Sequence, residues 1–444
     1  MNGQPSSGLP MLPALPVLFH TLPTADGRQL GVATLNAEKS LNALSMEMVT
    51  LLSQQLHAWD ADPAIVMVLL QAAGDKAFCA GGDLQDLYAS MRDHQTLKLP
   101  AASAEALLAN RYALDFFTKE YRLDYQIHTY RKPLLCWGHG IVMGGGIGLM
   151  AGASHRVVTE RSRLAMPETA IGLFPDVGGS WFLPRMPGKL GLFLALSGAA
   201  INAADAVFVK LADYQLPHAA KAALLASLQA QSWSEDAAAN HLLLSNELNQ
   251  QLNQQLSEMA SEQLSQPGSQ AESATASTTA GPLRRHFDLI NQLCSSASLA
   301  QTVAQISALD SSDPWLQKAS AALKKACPGS LWLAHALQTA CHHSSLAEVF
   351  RAELVAALAC AADADFAEGI RALLIDKDQQ PQWQQPDLLA DHALASLWGQ
   401  RFFNSPWSAQ QHPLRDLGQE LEQQPEQEQE LELEPKSDRA LRTA

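Results

Sequence analysis

Apolar residues fall into two alternating rhythms along the first half of the chain. Short, nearly unbroken runs, LGVATLN from Leu30 and IVMVLLQ from Ile65, predict buried strands. Between them MEMVTLLSQQLHAW carries its apolar residues at helical spacing behind a Ser45 cap. The rhythm then repeats. PLLCWGH, from Pro133, predicts a strand that runs into Gly144, Gly145 and Gly146, and HRVVT, from His155, a further one. Residues from about 102 to 130 can present Leu107, Leu108, Tyr112, Phe116 and Tyr121 on one helical face, a layer over the first glycine turn. This alternation over residues 17–215 predicts an α/β layered core.

The pattern then changes. Residues 216–281 read as helical with a low-complexity insertion, because residues 240–280 are rich in Gln, Ser, Asn and Thr. Residues 282–404 return to helical spacing and predict an all-α C-terminal region. From Ser405 to Ala444 nine acids stand against four bases in a Gln/Glu-rich stretch, which predicts a disordered tail. At the other end, residues 1–16 are broken by Pro5, Pro10, Pro13 and Pro16 and lack a basic start, so they read as a loose leader and not as a secretory signal.

Charge and cysteine usage narrow the classes of function. Lys plus Arg number 30 and Asp plus Glu 45, a net charge of −15, which argues against a chain-wide grip on nucleic acid or an anionic membrane. No apolar window approaches the length of a membrane span. The six cysteines are scattered without a C-x-x-C pair, which fits a reducing compartment, and a cytoplasmic location is expected. His128, His139 and His155 form no ligand motif, so no metal is expected. Cys79, beside a glycine turn, reads as a packed thiol before it reads as a nucleophile.

Three segments can carry chemistry. KAFCAGGD places Ala80, Gly81 and Gly82 after a strand, where small residues let backbone N–H groups approach a ligand. MGGGIG, from Met143 to Gly148, opens a predicted helix whose first N–H groups are unpaired and favour an anion. Two such turns at neighbouring strand ends can aim two donors at one oxygen that becomes negative in acyl chemistry. The spacing fits neither a P-loop nor a dinucleotide fingerprint. Downstream, AMPETAIGLFPDVGGSWFLPR sets Glu168 and Asp176 in apolar surroundings, where a carboxyl is either paired, for example to Arg185 or Lys189, or held for acid/base or nucleophilic work.

Taken together these residues resemble the crotonase, or enoyl-CoA hydratase/isomerase, superfamily. KAFCAGGDL is similar to its first oxyanion turn, HGIVMGGGIGL to its second, and MPETAIGLFPDVGGSWFLPR to the active-site segment of its thioester-hydrolase branch. DFAEGIRALLIDKDQQPQW, from Asp365, also resembles that branch. The resemblance implies a core of ββα units with a helical C-terminal region. It implies Gly82 and Gly145 as the oxyanion donors, Glu168 and Asp176 as the catalytic carboxyls, and Glu120 as a substrate contact. Hydratases of the family carry a second catalytic glutamate three residues after the oxyanion glycine, where this chain has Gly148. Hydration needs one group to activate water and another to deliver a proton, so Gly148 turns the expectation to hydrolysis of a short acyl-CoA thioester. The resemblance implies 3-hydroxyisobutyryl-CoA as substrate and no cofactor, CoA being part of the substrate. Lys39, Arg371 and Lys377 are within the choice for CoA phosphates, although a surface role is the default for each. Hydration or isomerisation of an enoyl-CoA, and an inactive binding or assembly role, stand as the alternatives; self-association is open.

Overall fold

A computed structural model describes residues 15–100, 103–264 and 280–419. The apolar run at residue 65 forms strand β3 (Ile65–Ala72), the central member of a six-stranded sheet with β1 (Val17–Pro23), β2 (Gln29–Leu35), β5 (Leu134–Gly138), β7 (His155–Val158) and β10 (Tyr214–Gln215). The strand order is β1-β2-β3-β5-β7-β10, and every pairing is parallel except the hairpin β1–β2. A central parallel strand is covered on both faces and so is apolar throughout. Val68 and Leu70 face the main core; Met67 and Leu69 face a smaller cluster closed by Leu224, Leu228, Leu244 and Leu248.

Strands β3, β5 and β7 of the large sheet each hand the chain to a second, four-stranded sheet of order β4-β6-β8-β9: β4 (Ala77–Cys79), β6 (Ile141–Met143), β8 (Arg163–Ala165) and β9 (Ile201–Asn202). Helix α1 (Met46–Ala61) packs after β2, with the Ser45 hydroxyl accepting the Met48 N–H as the sequence predicts. Helices α2 (Leu84–Gln95), α3 (Ala104–Ala109) and α4 (Arg111–His128) form the layer beyond β4, and α5 (Gly145–Ala151) follows β6. Asn110 divides α3 from α4 by capping Ala113.

The insertion predicted at residues 240–280 is, in its described part, the end of a helix spanning Ala237–Leu264, whose Leu244 and Leu248 close the outer face of the large sheet. The helices from Pro282 to Ile370 share one contiguous hydrophobic cluster with the α/β part, running from Val17 to Leu417. They are a further layer on the same core. The helix Leu346–Ala362, started by a Ser345/Glu348 capping box, buries Phe350 against Tyr121 and Tyr125 of α4.

The tail expected to be disordered from Ser405 is packed as far as its described residues go. Leu414 is fully buried, Arg351 donates to the Leu414 and Leu417 carbonyls at 3.2 and 3.1 Å, and Arg122 pairs with Asp416 at 2.6 Å. Two leucines and two arginine partners outweigh the polar average of this stretch. Residues 420–444, and the leader up to residue 14, lie outside the described residues. Among the described residues no helix is long and apolar enough to cross a membrane.

Candidate active site

The two glycine turns stand at the ends of β4 and β6, neighbouring strands of the small sheet. At the first turn a bridge joins Leu44 to Gly82, using the Leu44 N–H to the Gly81 carbonyl (2.7 Å) and the Asp83 N–H to the Leu44 carbonyl (3.0 Å). Those bonds face one way along the strand edge, which leaves the Gly82 N–H pointing to the other side. At the second turn Gly144 is the N-cap of α5, with φ +50°, and Gly145 is the first helical residue. Its N–H is one of the donors a helix leaves unpaired at its start. The turns touch: a Cβ built on Gly145 would stand 3.5 Å from the Gly82 nitrogen.

Around them lies a cavity of about 70 Å³, lined by Gly82, Gly145, Glu120, Glu168, Asp176 and Phe366 among others. The structure therefore brings together all five of the site residues expected from the sequence. Glu168 opens the short 3-10 turn Glu168–Ile171, and its Oε1 would be 3.0 Å from a Cβ on Gly144. Glu120 comes from α4, and its Oε1 would be 2.5 Å from a Cβ on Gly145. Asp176 accepts the Tyr121 hydroxyl at 2.7 Å.

The sequence reading missed two further carboxyls. Asp124, one helical turn beyond Glu120, is fully buried with neither oxygen hydrogen-bonded, and stands 2.8 Å from where Gly148 would carry a Cβ. The i to i+4 spacing from Glu120 was the available signal. Glu353, from the helix Leu346–Ala362, accepts the Gly178 N–H at 2.8 Å and the Ser180 N–H at 2.9 Å. No local pattern points to it.

Five buried carboxyls thus share one region, and among the described residues no ion pair reaches any of them. Burial disfavours their charged forms, and each charge disfavours the next. Burial first, and the neighbouring Asp176 second, push Glu168 and Glu120 well above the ordinary carboxylate range. Asp124 is driven well up by burial and then by Glu120. Asp176 is raised to about 6, burial outweighing the Tyr121 hydrogen bond that lowers it. Glu353 is raised to about 8 by burial and then by Asp176, against the pull of its two N–H donors.

The remaining candidates lie apart from this chemistry. Cys79 is buried with its thiol pushed up to about 12 by burial, and donates to the Gly81 carbonyl at 3.7 Å. His139 bonds the Gly74 carbonyl, His155 bonds Ser154 and Ser245, and His128 packs edge-on to Trp181. Arg371 is held by Glu368, Asp376 and Asp378, so its charge is already answered; Lys39 and Lys377 are exposed. Arg185 donates to the Trp181 and Ser344 carbonyls and pairs with neither Glu168 nor Asp176.

Comparison with known proteins gives the family. The family model described as enoyl-CoA hydratase/isomerase matches residues 30–395. The chain is 35% identical over 360 residues to "3-hydroxyisobutyryl-CoA hydrolase, mitochondrial" of Gallus gallus, covering 80% of this chain and 82% of that one. It is 35% identical over 359 residues to the Homo sapiens protein of the same name, covering 81% and 82%. Among solved structures, an enoyl-CoA hydratase from Rhodobacter sphaeroides 2.4.1 superposes with a TM-score of 0.66 at 30% identity, over 87% of this chain and 96% of that one. A carnitinyl-CoA dehydratase from Mycobacterium thermoresistibile superposes with a TM-score of 0.67 at 29% identity, over the same 87% and 96%. With paired glycine turns at neighbouring strand ends and a family model spanning most of its length, the chain belongs to the enoyl-CoA hydratase/isomerase, or crotonase, family.

Proposed function

We propose that this chain hydrolyses a short-chain acyl-CoA thioester, with 3-hydroxyisobutyryl-CoA as its substrate. One observation carries the reading. Glu168 lies in the same small cavity as the Gly82 and Gly145 turns, and Gly148 stands where a hydratase would need its second glutamate. The names of the relatives support the substrate class, and about 70 Å³ suits a four-carbon hydroxyacyl group better than a long chain.

In this mechanism the thioester oxygen sits between the two N–H groups, which stabilise the charge that develops there; one such donor is worth about 2.7–4 kcal/mol. The ionised Glu168 carboxyl adds to the carbonyl carbon, and the π electron pair moves to the held oxygen. Collapse of that adduct breaks the C–S bond and releases the CoA thiolate, which takes a proton from a neutral carboxylic acid of the cluster. Water then cleaves the resulting anhydride and restores Glu168. In the shorter route Glu168 takes a proton from water and the hydroxide adds to the same carbon; collapse of that adduct breaks the C–S bond, and the leaving thiolate takes the proton from Glu168. In both, Asp176, steadied by Tyr121, positions the substrate hydroxyl or passes a proton.

A hydration reading draws on the two superposing structures and on Asp124, which supplies a carboxyl behind Gly148. Asp124 does not line the cavity, and this favours hydrolysis. Release of free thiol from a panel of acyl-CoA esters, beside the absorbance of a conjugated enoyl thioester, separates the two. Glu168→Gln is expected to lower thiol release by about 10²–10⁴-fold. Undiminished release by the folded variant removes Glu168 from the mechanism.

A further inference from the structure

Directly after Asp176 the backbone turns through two residues with positive φ, Val177 at +51° and Gly178 at +85°. Glycine accepts that region freely, whereas a β-branched residue rarely enters it and stays only when its surroundings hold it there. Val177 is buried, with its Cβ 2.8 Å from where Gly148 would carry one, so the turn is packed against α5. What holds it from the other side is Glu353. Its two oxygens each accept one N–H from the turn, Gly178 at 2.8 Å and Ser180 at 2.9 Å. Phe350, one helical turn earlier, packs on Gly178.

We infer that Glu353 is a positioning residue, a two-pronged acceptor that keeps the Val177 turn in its strained form and thereby sets where Asp176 stands. This rests on the hydrolase reading of the same site. The chain of contacts is short. Glu353 fixes Gly178 and Ser180, the Gly179 N–H returns to the Asp176 carbonyl at 2.7 Å, and the Asp176 side chain meets Tyr121. Glutamine in place of Glu353 can accept one of the two N–H groups, but its own NH₂ then faces the other. The turn loses one anchor, and the Asp176 carboxyl shifts with it.

The test is a kinetic cycle on the full-length protein with 3-hydroxyisobutyryl-CoA, read as thiol release. Misplacement of a reacting group costs about 10²-fold, so E353Q is expected to lower kcat by about that factor with KM little changed. In a D176N background the same substitution is expected to cost less than about threefold, because a residue that acts through Asp176 has nothing left to position. Equal losses in both backgrounds, or full kcat in folded E353Q, overturn the inference. If E353Q does not fold, Glu353→Asp, which keeps the carboxyl on a shorter arm, takes its place in the cycle. Hydrogen exchange on the unaltered protein reads the clamp without a variant: the Gly178 and Ser180 amides are expected to be strongly protected although they lie in a turn. Exchange as fast as in exposed turns also overturns it. If the unaltered protein releases no thiol, the hydrolase reading fails first and the inference falls with it.

Discussion

Gly145→Ala tests the oxyanion arrangement most directly, because the structure separates its effect on activity from its effect on folding. Gly145 is the first residue of helix α5 and has no positive φ, so alanine suits its backbone. The added methyl would meet the Glu120 Oε1 at 2.5 Å, the free end of a side chain that can swing aside, and would stand 3.5 Å from the Gly82 nitrogen. An oxygen held by both N–H groups needs about 2.7–3.1 Å to each, so the methyl takes the place that oxygen requires. Loss of one donor of this kind lowers kcat by about 10²–10³-fold. Thiol release from 3-hydroxyisobutyryl-CoA should fall by that much while the thermal midpoint moves little.

Gly146→Ala is the contrast. Its methyl would lie 2.4 Å from the Cys79 carbonyl oxygen, a backbone atom that cannot move alone, so this variant is expected to lose folded protein. Glu120→Gln measures how much of the Gly145→Ala effect comes through the displaced carboxyl. A folded Gly145→Ala protein that keeps kcat/KM within about tenfold of the parent would refute the two-donor arrangement.

Asp176→Asn is expected to shift the acid limb of kcat/KM to lower pH. The charge on Asp176 helps hold Glu168 well above the ordinary carboxylate range, and its removal lets Glu168 ionise sooner, which a pH–rate profile reads. Asp124→Asn is expected to raise stability in denaturant titrations near about pH 8, with the gain fading toward about pH 4. The sign follows from Asp124 being raised well above 3.8 in the folded state: the unfolded chain releases the proton first, so native stability falls as pH rises, and asparagine removes that loss. Cys79→Ala is expected to retain thiol release within about fivefold, and iodoacetamide should leave the folded enzyme active, since burial pushes this thiol to about 12.

The strands were legible because β3 is buried on both faces and so writes an unbroken apolar run, and α1 because its cap and its spacing agree. Gly82 and Gly145 were legible through motifs in which small residues are required by the close approach of the two turns, Glu168 and Asp176 through carboxyls set in an apolar segment, and Glu120 only through the family resemblance. Asp124 was within reach, one turn from Glu120 on a helix whose boundaries the sequence suggests, but burial of an unpartnered acid is not what spacing predicts. Glu353 was out of reach, 175 residues along the chain from the Gly178 it holds. Residues 405–419 were misread because composition averages over Leu414 and Leu417, and it is those side chains that anchor the segment.

The cluster of acids draws on both the helical layer and the α/β core, which share one hydrophobic cluster. Glu120, Asp124 and Tyr121 come from α4, Asp176 from the loop after the Glu168 turn, and Glu353 from the helix Leu346–Ala362. Five buried carboxyls with no ion-pair partner among the described residues are not all ionised together in so dry a place, and some of them hold protons. The helices that carry Glu120, Asp124 and Glu353 meet where Phe350 packs against Tyr121 and Tyr125. A change in that packing acts on the site through both α4 and the Val177 turn. On the proposed mechanism the C-terminal helices therefore bear on the chemistry as the glycine turns do, the turns offering donors to the oxygen and the helix Leu346–Ala362 holding Glu353 against the segment that carries Asp176.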